Sequence, residues 1–338
     1  MRILSGVQPT GTLHLGNYFG AIQQHIELQS AAARAEDAFY FVANLHTLTT
    51  VHDATQVRAL TRDVAIDYLT LGLDPERATF FRQSDVPEVC ELAWFLSCCV
   101  GKGLLERATS YKDKIARGLE ATMGLFNYPV LMAADILIYK STMVPVGKDQ
   151  QQHVEMAQDM AASFNSAFKR EVFVRPEWRF SKAPVVPGTD GGKMSKSYGN
   201  TIPIFVPDGM TEKQVFKAYF AGIKTDSKGV EDPKDPNDAL MTLYRLLDPA
   251  KAEEFEPVYT RGGVGYGDIK KRLHAAYAER FQVLSEKRRA IAADESFVEG
   301  VLERGAERAR AVARQVMAEA REAAGVVVAR STHPLSSA

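Results

Sequence analysis

The chain has 338 residues, of which 46% are hydrophobic and 25% are charged, and its formal net charge at pH 7 is −1. This balance is typical of a folded globular protein, and the length suffices for two domains with cores of their own. The near-neutral charge excludes a protein that coats nucleic acid non-specifically, because that function needs a large excess of basic residues. It does not exclude a selective binder with a local basic face.

The three cysteines, Cys90, Cys98 and Cys99, lie in one apolar run, "CELAWFLSCCV". Their spacing fits neither a zinc site nor a secreted disulfide framework, so we expect buried, reduced thiols in a reducing compartment. No apolar stretch approaches the length of a membrane span. The sequence therefore predicts a cytoplasmic protein with no membrane association and no metal held by its own side chains.

The first third of the chain alternates predicted strands with predicted helices. The strands are "RILSGV", "AFYFVANL" and "ATFFRQS", and the helices are "NYFGAIQQHIELQ", "ATQVRALTRDVAIDYLTLGL" ending at Gly72, and "PEVCELAWFLSCCV". Such alternation is typical of βαβ units, so the sequence predicts a parallel sheet with helices on its faces.

The middle of the chain continues the alternation and then loses it. "NYPVLMAADILIYKS" has a helical period that we expect Pro129 to break on its N-terminal side, "MVPVG" is a buried strand candidate, and "DQQQHVEMAQDMAASF" is a helix candidate. From Val174 to Gly209 the chain is rich in proline and glycine, and we expect no regular element there. Long ordered loops in compact proteins are usually functional.

The last part of the chain, after about Thr211, is predicted to be all helical. One apolar stripe follows its final helix through Leu302, Ala306, Ala309, Ala313, Val316 and Ala320. We therefore expect an α/β body over residues 1–207, a helical domain over 208–328, and a disordered tail over 329–338.

The stretch "QPTGTLHLGNYFG" contains the first motif with a chemical rationale. Gly16 and Asn17 fall where the first strand leads into the first helix, and backbone N–H groups at such a junction favour an anion. Gly11 and Gly16 allow close approach of backbone to ligand. His14 and Asn17 can donate hydrogen bonds to phosphate oxygens.

The stretch "GGKMSKSYGN" contains the second motif. It is not a Walker A loop, since Pro187 stands where a glycine is required and Met194 follows Lys193. Its lysines and serines still suit phosphate, and its glycines suit a loop that closes over a ligand.

The two motifs, in this order around a parallel-sheet body, resemble those of the class I aminoacyl-tRNA synthetases. "HLGN" corresponds to their HIGH motif, and "KMSKS" at residues 193–197 matches their second signature. The resemblance implies a Rossmann-like catalytic domain over residues 1–207, a middle segment inserted at about residues 87–140, and a helical anticodon-binding domain over residues 208–328.

Over nearly its whole length the chain is similar to the bacterial tryptophanyl-tRNA synthetases, in "SGVQPTGTLHLGNYFGA", "YPVLMAADILIY", "VPVGKDQQQHVEMAQDMAASFN" and "KMSKSYGN". The resemblance implies activation of L-tryptophan by ATP, with Mg²⁺, to an adenylate, and transfer of tryptophan to tRNA(Trp). It also implies a homodimer formed through the inserted segment.

The resemblance also assigns site residues by position. The implied catalytic residues are His14, Asn17, Lys193, Ser195 and Lys196. The implied ATP-binding residues are Gln8, Pro9, Thr10, Gly16, Asn17, Gly147, Lys148, Asp149, Val185, Val186, Lys193, Met194, Ser195, Lys196 and Ser197. The implied tryptophan-binding residues are Gly6, Gln8, His46, Tyr128, Met132, Asp135, Val144, Val146 and Gln150. Two positions depart from the family pattern: Lys148, where an acid is commoner, and Leu4, where an aromatic residue is.

Other interpretations stay open at this stage. Met132 could be an ordinary core residue and His46 a satisfied buried histidine, whereas we expect His25 and His153 to lie on helix surfaces. Asp135 differs, because an acid in "LMAADILIY" is costly to bury without a partner. At the level of function, the alternatives are a tyrosyl-tRNA synthetase, a small nucleotidyltransferase and a non-catalytic RNA-binding paralogue.

Overall fold

The computed structural model describes residues 1–30, 34–116, 118–147, 150–180 and 185–326. Lys148 and Asp149 of the predicted ATP site, and the predicted tail at residues 329–338, lie outside these ranges. Within them, none of the helices is both long enough and apolar enough to span a bilayer.

Five parallel strands form one sheet in the order β3-β2-β1-β4-β5. They are β1 (Ile3–Val7), β2 (Ala38–Val42), β3 (Thr79–Arg82), β4 (Met143–Val146) and β5 (Glu177–Phe180). The parallel sheet and its first four strands confirm the sequence prediction. The chain runs outward from β1 through β2 to β3 and then crosses back to β4 on the other side of β1, so the strand order reverses between β1 and β4. Open α/β sheets bind ligands at the carboxyl ends of the strands at such a switch point.

Helices cover both faces of this sheet. In the α/β part they are α1 (Leu15–Asn17), continued by a π-helical turn (Tyr18–Ile22) into α2 (Gln23–Gln29), then α3 (Asn44–Thr47), α4 (Ala54–Leu71), α5 (Glu88–Cys99), α6 (Lys102–Glu106), α7 (Thr109–Ala116), α8 (Met123–Leu137) and α9 (Gln151–Ala167). The later helices are α10 (Glu212–Val215), continued by a π-helical turn (Phe216–Phe220), α11 (Ala239–Leu247), α12 (Pro249–Arg261), α13 (Tyr266–Arg280), α14 (Ser285–Ala293) and α15 (Glu295–Ala323).

The inner strand β2 is buried along its whole length and separates two hydrophobic clusters. Tyr40 and Val42 belong to the cluster on one face of the sheet, and Phe39 and Phe41 to the cluster on the other. This division follows from the strand geometry, since successive side chains point to opposite faces. It explains why the sequence of β2 is a continuous apolar run without alternation.

The last helix, α15, packs directly on the edge strand β3. A side chain at Gly305 would overlap the carbonyl oxygen of Phe80, so the close approach requires glycine. All six residues of the predicted apolar stripe on α15 are buried. Charged residues border the contact: Arg82 Nη1 lies 2.7 Å from Glu299 Oε2, and Arg310 Nη2 lies 3.1 Å from Glu88 Oε1.

Two secondary-structure predictions are wrong. Pro129 lies inside α8 and does not break it, because the apolar helix is held between α5 and α9. β5 lies within the stretch predicted to be irregular, where pairing with β4 overrides its polar, exposed sequence. Helix α12 lies in the part predicted to be helical; it has Pro249 at its N-terminus, and Asp248 accepts a hydrogen bond from the backbone N–H of Lys251.

The prediction of buried cysteines is also wrong. Cys90 and Cys98 are exposed and Cys99 is half-buried, all on α5. The helix buries the stripe of Val89, Leu92 and Leu96 instead, which leaves the thiols and Trp94 on the outer side. An apolar composition did not reveal which side of the helix faces the core.

Candidate active site

A cavity of about 450 Å³ opens at the switch point of the sheet. Its walls come from the carboxyl ends of β1, β2 and β4, and from residues of α2, α3 and α8. Cavities of this size accommodate small organic ligands. The position agrees with the rule that α/β sheets bind ligands beyond the carboxyl ends of their strands.

All nine residues predicted to bind tryptophan line this cavity: Gly6, Gln8, His46, Tyr128, Met132, Asp135, Val144, Val146 and Gln150. Leu4, one of the two departures from the family pattern, is buried and belongs to the same wall. Three of the nine, Tyr128, Met132 and Asp135, are spaced by four and three residues on α8, which places them on one side of that helix. The cavity thus unites residues from four separate parts of the sequence.

Asp135 is an acid of the cavity wall and is 2% exposed. Its Oδ2 lies 3.1 Å from Nε2 of His46, and the Nε2 of Gln83 donates to both carboxylate oxygens, at 2.9 and 2.8 Å. Burial raises the pKa of Asp135, and the hydrogen bonds from His46 and Gln83 oppose that rise. The burial of this acid with partners agrees with the expectation from its apolar neighbours.

Gln83 was not singled out in the sequence, although a signal was available. It directly follows β3, as His46 closely follows β2, and polar residues at the carboxyl ends of parallel strands converge on one edge of the sheet.

The predictions for His25 and His153 as helix-surface residues are wrong, since both are buried. Nε2 of His153 lies 2.8 Å from the hydroxyl of Tyr128, so this histidine supports the cavity wall. His25 Nδ1 lies 3.1 Å from the hydroxyl of Tyr68, and its ring is stacked near Tyr40. Burial lowers the pKa of His25 to about 4. The helical pattern did not distinguish these polar positions from exposed ones.

The first motif lies at one side of the cavity. The side chain of Asn17 accepts a hydrogen bond from the backbone N–H of His14 at 3.1 Å and also borders the cavity. His14 is 7% exposed, and burial, with a smaller effect of the Lys196 charge, lowers its pKa to about 4. The imidazole is therefore neutral near pH 7, with one N–H to donate.

The second motif packs against the first. Met194 is buried, and its sulfur accepts a hydrogen bond from the backbone N–H of Gly16 at 3.2 Å. Nζ of Lys196 lies 3.5 Å from Oγ1 of Thr10, whereas Lys193 is exposed. Burial lowers the pKa of Lys196. The two motifs are thus neighbours in space, as their joint presence in the sequence predicted.

The remaining predicted ATP-site residues are distributed around this junction. Gly147 lines the cavity at the end of β4. Pro9 is buried, and Val186 is buried with its carbonyl accepting from the N–H of Met194, but Val185 is largely exposed. The hydroxyls of Ser195 and Ser197 lie 2.9 Å apart.

The fold and the paired motifs define a class of nucleotide-using enzyme, and the chain belongs to one family within it. The family model described as tRNA synthetases class I (W and Y) matches residues 1–282. This extends well beyond half of the 338 residues.

Individual relatives are named for tryptophan. A tryptophan–tRNA ligase of Rhodopirellula baltica is 49% identical, over 96% of this chain and 100% of the relative. One from Pseudomonas aeruginosa is 43% identical, over 100% of this chain and 76% of the relative. The crystal structure of tryptophanyl-tRNA synthetase from Campylobacter jejuni, complexed with ADP and tryptophan, superposes with a TM-score of 0.87 at 44% identity, covering 96% of this chain and 100% of that one. The tyrosine alternative is therefore not favoured.

Proposed function

We propose that the protein is a tryptophan–tRNA ligase, which activates L-tryptophan with ATP and transfers it to tRNA(Trp). The observation that carries the proposal is the buried carboxylate of Asp135 in the cavity wall, which is within hydrogen-bond distance of Gln83 and His46. Indole has one hydrogen-bond donor and no acceptor, so a pocket that selects it needs a fixed acceptor of this kind. The relatives named for tryptophan support the same conclusion.

In this proposal the cavity holds the amino acid. Asp135 accepts the hydrogen bond of the indole N–H, and Met132 packs on the ring one turn away on the same helix. Tyr128 and Gln150 hold the amino acid at its polar end. His46 supports Asp135 from α3, and Gly6, Gln8, Val144 and Val146 complete the walls, because they line the same space.

The motifs act on the triphosphate. The tryptophan carboxylate attacks the α-phosphorus of ATP, a P–O bond forms, and pyrophosphate leaves with the electrons of the bond that breaks. Negative charge moves toward the leaving group, and cations placed there stabilise the transition state. Lys193 and Lys196 supply positive charge, while Ser195, His14 and Asn17 supply polar groups. Gly191 and Gly199, with φ of 84° and 64°, are suited to a loop that changes shape around the phosphates.

Several further parts of the proposal come from family membership. Mg²⁺ would accompany ATP, bound mainly by phosphate oxygens, and would neutralise their charge. We place the enzyme in the cytoplasm as a homodimer formed through the segment at about residues 87–140, and assign the anticodon to the helices of residues 208–328.

The ATP–pyrophosphate exchange reaction with each of the twenty amino acids tests the function. Tryptophan should support exchange, and tyrosine and phenylalanine should not. Exchange with tyrosine alone would assign the protein to the other branch of the family, and no exchange with any amino acid would favour the non-catalytic paralogue. Charging of tRNA(Trp) in the presence of tryptophan then tests the second step.

A further inference from the structure

Gln83 is completely buried, and both ends of its amide have a defined partner. The oxygen Oε1 accepts a hydrogen bond from the backbone N–H of Leu45 at 3.1 Å, while the nitrogen Nε2 donates to Asp135 at 2.8 and 2.9 Å. In the opposite orientation the amide oxygen would face the Asp135 carboxylate, and the amide N–H groups would face the backbone N–H of Leu45. The orientation of Gln83 is therefore fixed by its neighbours.

We propose that Gln83 is the positioning residue that fixes the carboxylate of Asp135 and so sets the preference for a substrate ring with an N–H donor. This inference rests on the proposed function, in which Asp135 accepts the indole hydrogen bond. A carboxylate has about four acceptor positions. Gln83 bridges both oxygens and His46 occupies Oδ2, so the arrangement leaves acceptor capacity for one donor from the cavity.

Gln83 is suited to this role because it does not titrate. The titratable groups around Asp135 are the imidazole of His46, the thiol of Cys90 and the hydroxyl of Tyr139. Burial, with a smaller effect of the negative charge of Asp135, raises the pKa of the Cys90 thiol and of the Tyr139 hydroxyl. The Gln83 amide therefore donates to Asp135 in the same way at every pH. It thereby favours the ionised, oriented carboxylate against the cost of burial.

The backbone that carries Gln83 is anchored on both sides. Before it, Arg82 pairs with Asp85 and with Glu299 of α15. After it, Ser84 and Asn44 exchange hydrogen bonds through their backbone and side-chain groups. A supporting residue has to be held this firmly if it is to orient a binding group.

The first test compares tryptophan with its analogue that carries sulfur in place of the ring N–H. In Gln83→Met, which keeps the length but removes the donor, kcat/KM for tryptophan in the exchange reaction should fall about tenfold or more. The same parameter for the sulfur analogue should fall less than about threefold, because that ring makes no hydrogen bond to Asp135. The KM for ATP should stay unchanged.

Gln29→Met is the matched control. Gln29 is also buried, accepts from the backbone N–H of Asp74 and donates to the carbonyl of Gly72. Neither of these partners lines the cavity, whereas Asp135, the partner of Gln83, does. It should lose stability by a similar amount and keep the ratio of the two substrates.

Gln83→Glu gives a second readout that a merely structural role would not produce. It keeps an acceptor for the N–H of Leu45 but sets a second carboxyl group against Asp135. At pH 8 tryptophan activation should be poor, because two carboxylates then face each other. Activation should recover toward that of the unmutated enzyme as the pH falls to 6, because a proton shared by the two carboxyl groups restores a hydrogen-bond donor to Asp135.

Equal losses for tryptophan and the analogue, no loss for either, or an unchanged pH profile in Gln83→Glu would overturn the inference while leaving the proposed function intact. Failure of the unmutated enzyme to activate tryptophan would instead overturn the proposed function and this inference with it.

Discussion

The two lysines of the second motif differ in their surroundings. Lys196 is half-buried beside Thr10, where the pKa of its ammonium group is lowered by burial and raised again by the charge of Asp67. Lys193 is exposed. Because the Lys196 ammonium group is already partly desolvated before ATP binds, less solvent has to reorganise when it stabilises the negative charge that develops on the leaving pyrophosphate.

Lys193→Ala and Lys196→Ala should each slow adenylate formation about 10²-fold or more, by analogy with the loss of one donor in an oxyanion hole. Tryptophan binding should change little, since neither lysine lines the cavity. Rapid-quench measurement of adenylate formation, beside calorimetric tryptophan binding, checks both. Lys213→Ala, at an exposed position on α10, is the control. Rates within a few-fold of the unmutated enzyme would remove the loop from catalysis.

Buried histidines make the stability of the protein depend on pH. The pKa of His25 in the folded chain is about 4, below its ordinary value of 6.5. Between these values the unfolded chain binds a proton that the folded chain does not, so the contribution of His25 to stability falls as the pH falls from 6.5 toward 4. Lowering the pH from 7 to 5 should cost about 2 kcal/mol of unfolding free energy from this residue.

In His25→Phe, which keeps an aromatic ring near Tyr40 and Tyr68, that part of the pH dependence should disappear. Urea unfolding at pH 5 and pH 7 measures it. The mutant will be less stable overall, because the Tyr68 hydroxyl loses a partner, but its two values should lie closer together. Some difference between the two unfolding free energies should remain in this mutant, because the pKa of His14 is also lowered to about 4. The same pH dependence in both proteins would contradict the assignment.

At the scale of elements, the contact between α15 and β3 depends on one missing side chain. Gly305→Ala should destabilise the protein by about 2–4 kcal/mol, because the new methyl group overlaps the Phe80 carbonyl and the helix has to move. Gly300→Ala on the same helix should be neutral or stabilise by up to about 1 kcal/mol, because Gly300 faces only the flexible end of Arg304 and alanine favours a helix. Chemical unfolding of both variants checks the contrast; equal effects would show that the contact does not need glycine.

Elements with a strong pattern could be predicted from the sequence, and elements that depend on a partner could not. β2 is an apolar run. Helix α4 is capped at its N-terminus by Asp53, which accepts from the N–H of Gln56, and at its C-terminus by Gly72 in the left-handed conformation. β5 is polar and forms only because β4 offers a free edge. Its pairing depends on residues far away in sequence, which no local pattern contains.

The same distinction holds for the site. The motifs and the residues of α8 could be predicted, because they match a family and because an acid among apolar residues is unusual. Gln83 and His153 act through other side chains, Asp135 and Tyr128, so their importance depends on contacts that only the structure gives. Many of the basic residues on the later helices already contact protein groups, which leaves fewer for tRNA; examples are Lys270, Arg272, Arg308, Arg310 and Arg314.

At the scale of the whole molecule, the helical part is not an appendage of the sheet. Buried residues of α15 belong to the hydrophobic cluster that includes Phe39 and Phe81 of the sheet. A chain that stops after Asp208 would expose this face, so we expect it not to fold cooperatively and to be digested rapidly by protease. A matched chain that stops at residue 328 loses only the predicted tail and should be as stable as the full chain.

Circular dichroism during thermal unfolding, with limited proteolysis, distinguishes the two truncated chains. A cooperative transition in the shorter chain would show that the sheet is stable without α15. In that case the loss of tRNA charging with retention of pyrophosphate exchange would become a clean test of the helices in tRNA binding.

The pairing of α15 with the edge strand also has a consequence for how the protein is made. The ribosome synthesises β3 long before α15, the helix that covers it. Glu88, just after the strand, and its partner Arg310 on α15 are 222 positions apart. At ordinary translation speeds the apolar face of the strand stays uncovered for roughly 10–40 seconds. During that interval the nascent chain presents an unprotected sheet edge and face to chaperones and to other nascent chains, so its yield in the cell depends on synthesis rate as well as on final stability.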